Sequence, residues 1–165
     1  VLKKFYPDTY VDRREQEGYE SWAADSAFNR RILLNDQIAK AQTAGEIFSM
    51  TQDDYYYVIL GVNYIGTYAD SVFDYLDYMG ITIDRQEGVW VIQNCNIKES
   101  LTDYDKTINL SINRWTDLAI NMKPYQNRAM GNVLFNNMNF ANEHYEINVI
   151  VYDKISESVI CAKSF

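Results

Sequence analysis

Residues 51–80 read TQDDYYYVILGVNYIGTYADSVFDYLDYMG, and the reading of this stretch decides the fold. Val58, Val62, Ile65, Ala69, Val72, Leu76 and Met79 recur alternately four and three residues apart, and Tyr55 extends the series upstream. Ile59, Gly66, Phe73 and Gly80 widen it into a stripe. On a helix this spacing gathers all of them on one side, with Asp53, Asn63, Thr67, Asp70, Asp74 and Asp77 on the other. Thr51 followed by Asp54 has the form of a capping box, with Asp in place of Glu or Gln, and Asp53 and Asp54 put negative charge where the helix dipole favours it. The spacing predicts one helix from Thr51 to Gly80, about 40 Å long at the helical rise. The competing reading is a buried strand over Tyr55–Leu60, since Tyr, Val and Ile favour sheets. The heptad crosses that segment in phase, so the helix is preferred.

Upstream, the first ten residues read as an arm in which Pro7 breaks any helix. A first helix is predicted from Tyr19 to Gln42, with Ala24, Ala27, Phe28, Leu34, Ile38 and Ala41 as its apolar face and Gly45 as its stop. Downstream of Gly80 the period changes to two. Val89–Ile97, Ile108–Ile112 and Leu118–Met122 alternate as strands, and Val133–Phe140 is a weaker, Asn-laden candidate. Tyr145–Tyr152 and Val159–Phe165 alternate around a polar turn at Asp153–Ser158, the pattern of a closing hairpin. No helical period separates these runs, so neighbouring strands are antiparallel. The predicted fold is a single α+β domain over residues 1–165, with an arm at 1–10, a helical part at 11–80 and a mainly β part at 81–165. Its two N-terminal helices form a hairpin packed on an antiparallel sheet of about five strands.

The chain has 165 residues and is 47% hydrophobic and 23% charged, enough for one core of ordinary size. Its net charge of −8 argues against attraction to nucleic acid phosphates or to an anionic membrane. The charge is local: residues 51–105 hold 2 basic and 10 acidic side chains, while the flanks are near neutral. Asp70, Asp74 and Asp77 form an acidic stripe at helical spacing. Like charges so placed repel, which leaves room for a basic partner or a cation, or for simple solvation. No run is long and apolar enough to span a bilayer. No secretory leader is visible, and a start at Val1 is compatible with a processed N-terminus.

The chemistry-bearing residues are sparse. His144 is the sole histidine, and no nucleophile motif accompanies it. Asp103-Tyr104-Asp105 imitates the start of a calcium loop, but Ile108 and Arg114 stand where that loop needs Gly and Glu. Cys95 and Cys161 lack ligand spacing and read as buried free thiols, with a disulfide the alternative in an exported chain. Gly61–Thr67 has the outer glycine spacing of a phosphate loop without its lysine. No metal site and no cofactor are expected.

Composition supplies the functional expectation. Tyr (14) outnumbers Lys (8), and Asn (15) exceeds both. Interfaces are enriched in Tyr and depleted in Lys, and Tyr56, Tyr57, Tyr64, Tyr68, Tyr75 and Tyr78 all fall in the 51–80 stretch. The expectation is a non-catalytic protein-interaction or assembly protein, such as a virion or phage structural component. Its partner-binding residues would be Tyr56, Tyr64, Asp70, Asp74, Asp77 and Tyr78. The alternatives are an acidic inhibitor or immunity protein bound to a basic target, and a small carboxylate-dependent enzyme or ligand-binding domain.

Overall fold

Residues 51–80 do not form one helix. In the computed structural model, which describes residues 13–103, 107–113, 116–123, 128–135 and 138–165, the stretch is strand β1 (Tyr56–Val62), a four-residue loop, and helix α3 (Thr67–Tyr78). The helical part expected over 11–80 is therefore interrupted by a strand. The reason lies in burial. β1 is the middle strand of its sheet and is covered on both faces, so nearly every position is apolar. A run that is apolar at every position satisfies a heptad as readily as an alternation. The helical half of the reading holds: Ala69, Val72, Phe73 and Leu76 are buried. The helix ends at Gly80, as expected. Gly80 takes φ +86°, its N–H donates to the Asp77 carbonyl (3.0 Å) and the Ile81 N–H to the Leu76 carbonyl (2.8 Å), which is a Schellman ending.

By its contacts the chain divides into two units, residues 1–37 and 38–165. Helix α1 (Arg13–Lys40), most of which belongs to the first unit, begins earlier than expected. Phe28, placed on its apolar face from sequence, is exposed together with Ile32 and Leu33, and the Arg31 guanidinium lies over the Phe28 ring at 5.2 Å. The expected N-terminal arm lies outside the described residues.

The second unit holds everything else. A helix not foreseen, α2 (Ala44–Met50), follows Thr43, and the capping box belongs here rather than at Thr51. The Glu46 N–H donates to Thr43 Oγ1 (3.1 Å), and Glu46 Oε1 accepts from the N–H groups of Thr43 (3.1 Å) and Gln42 (2.7 Å). Those two backbone donors, Gln42 first, hold the Glu46 carboxyl below its ordinary pKa. Thr51 instead closes α2, its hydroxyl donating to the Ile47 carbonyl (2.9 Å). Gly45, read as a stop, sits in the first turn.

The strands are β2 (Gly88–Gln93), β3 (Asn96–Leu101), β4 (Thr107–Asn113), β5 (Thr116–Lys123), β6 (Arg128–Phe135), β7 (Met138–Asn139), β8 (Ile147–Asp153) and β9 (Ser158–Ser164). They form the expected five-stranded antiparallel sheet, in the order β3-β2-β1-β8-β9, and a second sheet, β4-β5-β6-β7. The run Val89–Ile97, read as one strand, is a hairpin. Asn94 and Cys95 take φ of 47° and 63°, the two-residue turn that matches strand twist. The hairpin of β8 and β9 forms as expected, with Ile150 opposite Ala162 and Val149 opposite Lys163.

Alternation along the central strands sorts residues to two faces. Ile59, Val91, Ile150 and Tyr152 pack with Ile108, Ile120, Val133 and Phe135 of the second sheet, where the rings of Phe135 and Tyr152 lie 5.1 Å apart. The other face carries Leu60, Trp90 and Val149 in register and is covered by α3, whose Phe73 meets Trp90 edge-on at 6.0 Å. Helices, five-stranded sheet and four-stranded sheet thus stack as three layers within residues 38–165.

Candidate functional site

The loop from β1 into α3, residues 63–66, lies inside the Gly61–Thr67 segment, whose strand–loop–helix setting is the one a phosphate loop requires. The anion at this helix N-terminus belongs to the chain itself. Glu146 Oε1 accepts from the N–H groups of Tyr68 (3.0 Å) and Ala69 (3.2 Å), where the N-cap, Gly66, has no side chain to offer. A Cβ on Gly66 would stand 2.5 Å from that carboxylate oxygen, so a larger residue there would push the Glu146 side chain aside. Next to it Asn63 is fully buried. Its Nδ2 donates to the carbonyls of Asn142 (3.1 Å) and Tyr145 (2.8 Å), and its backbone N–H to the Glu146 carbonyl (2.7 Å). Asn148, also buried, exchanges two hydrogen bonds with Asn142. This satisfied polar network fastens loop 63–66 to loop 140–146 and leaves Tyr64, Ile65 and Tyr145 exposed.

Along α3 the structure brings Asp70, Asp74 and Asp77 together on the exposed side, as their spacing requires. Their repulsion is answered from within the chain. Arg85 pairs with Asp70 (3.1 Å) and more closely with Asp74, and its guanidinium lies 5.6 Å over the Phe73 ring. The hydrogen bond to Asp74 and the field of all three aspartates raise the Arg85 pKa above its usual value. Nothing in the aspartate spacing alone points to Arg85; it comes from the connection to β2.

A second row on α3 is aromatic. Tyr78 is 87% exposed and Tyr68 55%. Tyr75 stacks on Tyr78 with centroids 6.4 Å apart, and Tyr68 leans on Phe165 at 6.5 Å. The Tyr75 hydroxyl is hydrogen-bonded to Ser49 of α2. Between the start of α2 and this row runs a groove of about 390 Å³, walled by Tyr68, Val72, Tyr75, Ile147 and Phe165. The surface offers ring faces, phenol hydroxyls and an ion-paired acidic stripe.

Of the partner-binding residues read from sequence, Asp70, Asp74, Asp77 and Tyr78 share α3, and Tyr64 stands exposed in the loop before it. Tyr56 is a correction: it is 0% exposed. As the first residue of β1 it alternates onto the helix-facing side with Val58 and Leu60, so it has no surface to present. Phe165 and the groove were not found from sequence, since α2 was not. His144 is exposed, its backbone N–H donating to Asn142 Oδ1 (3.1 Å). Cys95 and Cys161 are both free; Cys161 is buried, which pushes its thiol up to about 11, while Cys95 sits in the turn, its thiol donating to Gln52 Oε1 (3.6 Å). Residues 104–106 of the Asp103 turn lie outside the described residues. Among the described residues no group of three or more His, Cys, Asp or Glu side chains is placed to hold a metal ion, and no helix is long and apolar enough to cross a membrane.

No protein-family model, no curated protein and no solved structure matches this chain.

Proposed function

We propose that the chain is a non-catalytic interaction or assembly protein, and that α3 with the groove beside it is its contact surface. One observation carries this reading: Tyr68, Tyr75 and Tyr78 line up outside the core on a single helix, two of them largely exposed. Large rings held in the open add contact area at low entropic cost, and Tyr is among the residues that dominate binding energy. The network behind Tyr64 and Tyr145 fixes the backbone of both loops before binding, which reduces the ordering cost. An Asn- and Tyr-rich, Lys-poor chain suits a subunit of a larger particle, a virion or phage component included. The inhibitor reading draws less support, because Arg85 already neutralises part of the stripe that would steer a basic target.

The test is a photo-crosslinking residue placed at Tyr78, and separately at Ile97 on β3, followed by affinity measurement on the captured protein. Crosslinks from position 78 only, and a loss of about thirtyfold in affinity for Tyr78→Ala or Tyr68→Ala, are expected. A partner that crosslinks equally from Ile97 and ignores both substitutions refutes the proposal. The largely apolar lining of the groove supports one second reading, a small-molecule site. Fragments that shift the NMR signals of Ser71 and Val72, with no protein partner crosslinked at 78, would select it.

A further inference from the structure

The five-stranded sheet ends in β3 on one side and β9 on the other, and the two edges are protected differently. β3 is exposed from Asn96 to Ser100, carries Lys98 and Glu99 at its centre, and has its register broken beside them. Charge and irregularity of this kind prevent another strand from pairing. β9 has its irregularity near its start, where Ile160 is skipped in the pairing with β8, and Cys161–Phe165 continue regularly. Its one charge, Lys163, donates its ammonium to the Ala41 carbonyl (2.8 Å), drawn to the helix side and away from the edge.

Hydrogen-bond parity fixes what this edge presents. Ile147 and Phe165 exchange both backbone bonds (3.1 and 2.9 Å). In an antiparallel ladder Lys163 and Cys161 then also face β8, and the N–H and C=O groups of Ala162 and Ser164 point away from it. Among the described residues no strand pairs on that side, and Ala162 is exposed. The side chains of Cys161, Lys163 and Phe165 lie on the helix-facing side, and Phe165 walls the groove. A strand laid along β9 would therefore set the side chain opposite Phe165 about 5 Å from it, at the rim of the groove.

We infer that the edge of β9 receives an extended segment of a partner protein by strand addition, its backbone pairing with Ala162 and Ser164 and one apolar side chain entering the groove beside Phe165. The inference rests on the proposed reading of the groove as a contact surface, and it specifies the partner's conformation. A second copy of the chain fits this edge poorly. A dyad at Lys163 stands two lysines opposite each other, and a dyad at Ala162 sets Ser164 against the skipped Ile160.

The probe is a random-peptide display library selected on the intact protein, with affinities then measured on the unmodified chain, Ala162→Pro and Tyr68→Ala. Proline at 162 removes an N–H that β8 does not use, a change that edge strands tolerate. Selected peptides should lose at least about tenfold in affinity for Ala162→Pro, the worth of one lost backbone pairing. In the unmodified protein, peptide binding should slow hydrogen exchange at the Ala162 and Ser164 amides and leave those of Cys161 and Lys163, already paired, unchanged. This readout decides the matter if Ala162→Pro does not fold. The inference is overturned if the library yields no binder, if the Ala162 and Ser164 amides are already protected in the free monomer, or if their protection tracks self-association. Peptides sensitive to Tyr68→Ala but indifferent to Ala162→Pro overturn strand addition and leave the groove reading intact. Peptides sensitive only to Ala162→Pro support strand addition and remove the groove.

Discussion

The two short helices of the second unit begin in opposite ways. α2 is capped by its own neighbours, Thr43 and Glu46, within one turn of chain. α3 begins at a glycine without a side chain and takes its cap from Glu146, delivered from the loop before β8. A local cap stabilises its helix wherever the helix sits. A cap from elsewhere exists only when the tertiary fold is complete, and so it joins α3 to the middle of the sheet. The difference shows which end of the molecule is self-sufficient and which depends on assembly of the whole unit.

The comparison can be broken first at the anchor of α3. Leu76 is fully buried, and Leu76→Ala should cost about 2–5 kcal/mol by chemical denaturation, since truncation leaves a cavity as well as losing transfer energy. A loss well below this range would show that α3 is held by its cap rather than by its core face. Asn63→Ala comes next. It removes one of the donors to the Asn142 carbonyl and the donor to the Tyr145 carbonyl, and two hydrogen bonds at about 0.5–1.5 kcal/mol each give a loss of about 1–3 kcal/mol. Hydrogen exchange should quicken at Tyr68 and Ala69 as well as in loop 140–146; acceleration confined to the loop would separate the network from the cap.

A smaller effect distinguishes the caps themselves. Thr43→Ala and Glu146→Ala should each cost about 1 kcal/mol, the usual worth of a cap. The first should fray α2 alone, whereas the second should also move the NMR signals of Tyr64 and Tyr145. Equal and local responses would erase the contrast. The smallest effect is electrostatic. Because the Glu46 carboxyl is held below its ordinary pKa in the folded state, its contribution is fully present above the unfolded value and is lost as pH falls through the folded one. Glu46→Gln should therefore lower stability slightly at neutral pH and leave low pH nearly unaffected, which flattens the acid limb of the stability curve. An unchanged acid limb would refute the assignment.

Legibility follows the same division between near and far. The β8–β9 hairpin could be read because alternation and a polar turn lie within one short segment. The end of α3 could be read because Gly80 follows the stripe directly. β1 could not be separated from α3 by period, since Val58 and Val62 fall in phase with Ala69, Val72 and Leu76. The discriminating signal was on the other side of the wheel. Between Asp54 and Asn63 no polar residue supplies a solvent face except tyrosine hydroxyls, and an amphipathic helix needs one. That run belongs to a strand sandwiched between layers. The capping box of α2 was also present in sequence, as Thr43 and Glu46, but Gly45 between them was read as a stop. The candidate site was half visible: the aspartates and tyrosines of α3 stand at helical spacing. Arg85, Glu146 and Phe165 reach it only through tertiary contacts, which no local pattern encodes.

β1 pairs on one side with β2 and on the other with β8, joining Tyr56 to Asp153 and Val62 to Ile147. Its place at the centre of the sheet therefore depends on one of the longest loop closures in the chain. Such topology raises contact order and slows folding. A chain in which β8 had not yet paired would leave one edge of β1 open, with a run of apolar residues on both faces, the kind of state that is prone to aggregate. Refolding should accordingly be limited by the docking of the β8–β9 hairpin, and the last amides to gain protection should be those along the β1–β8 seam.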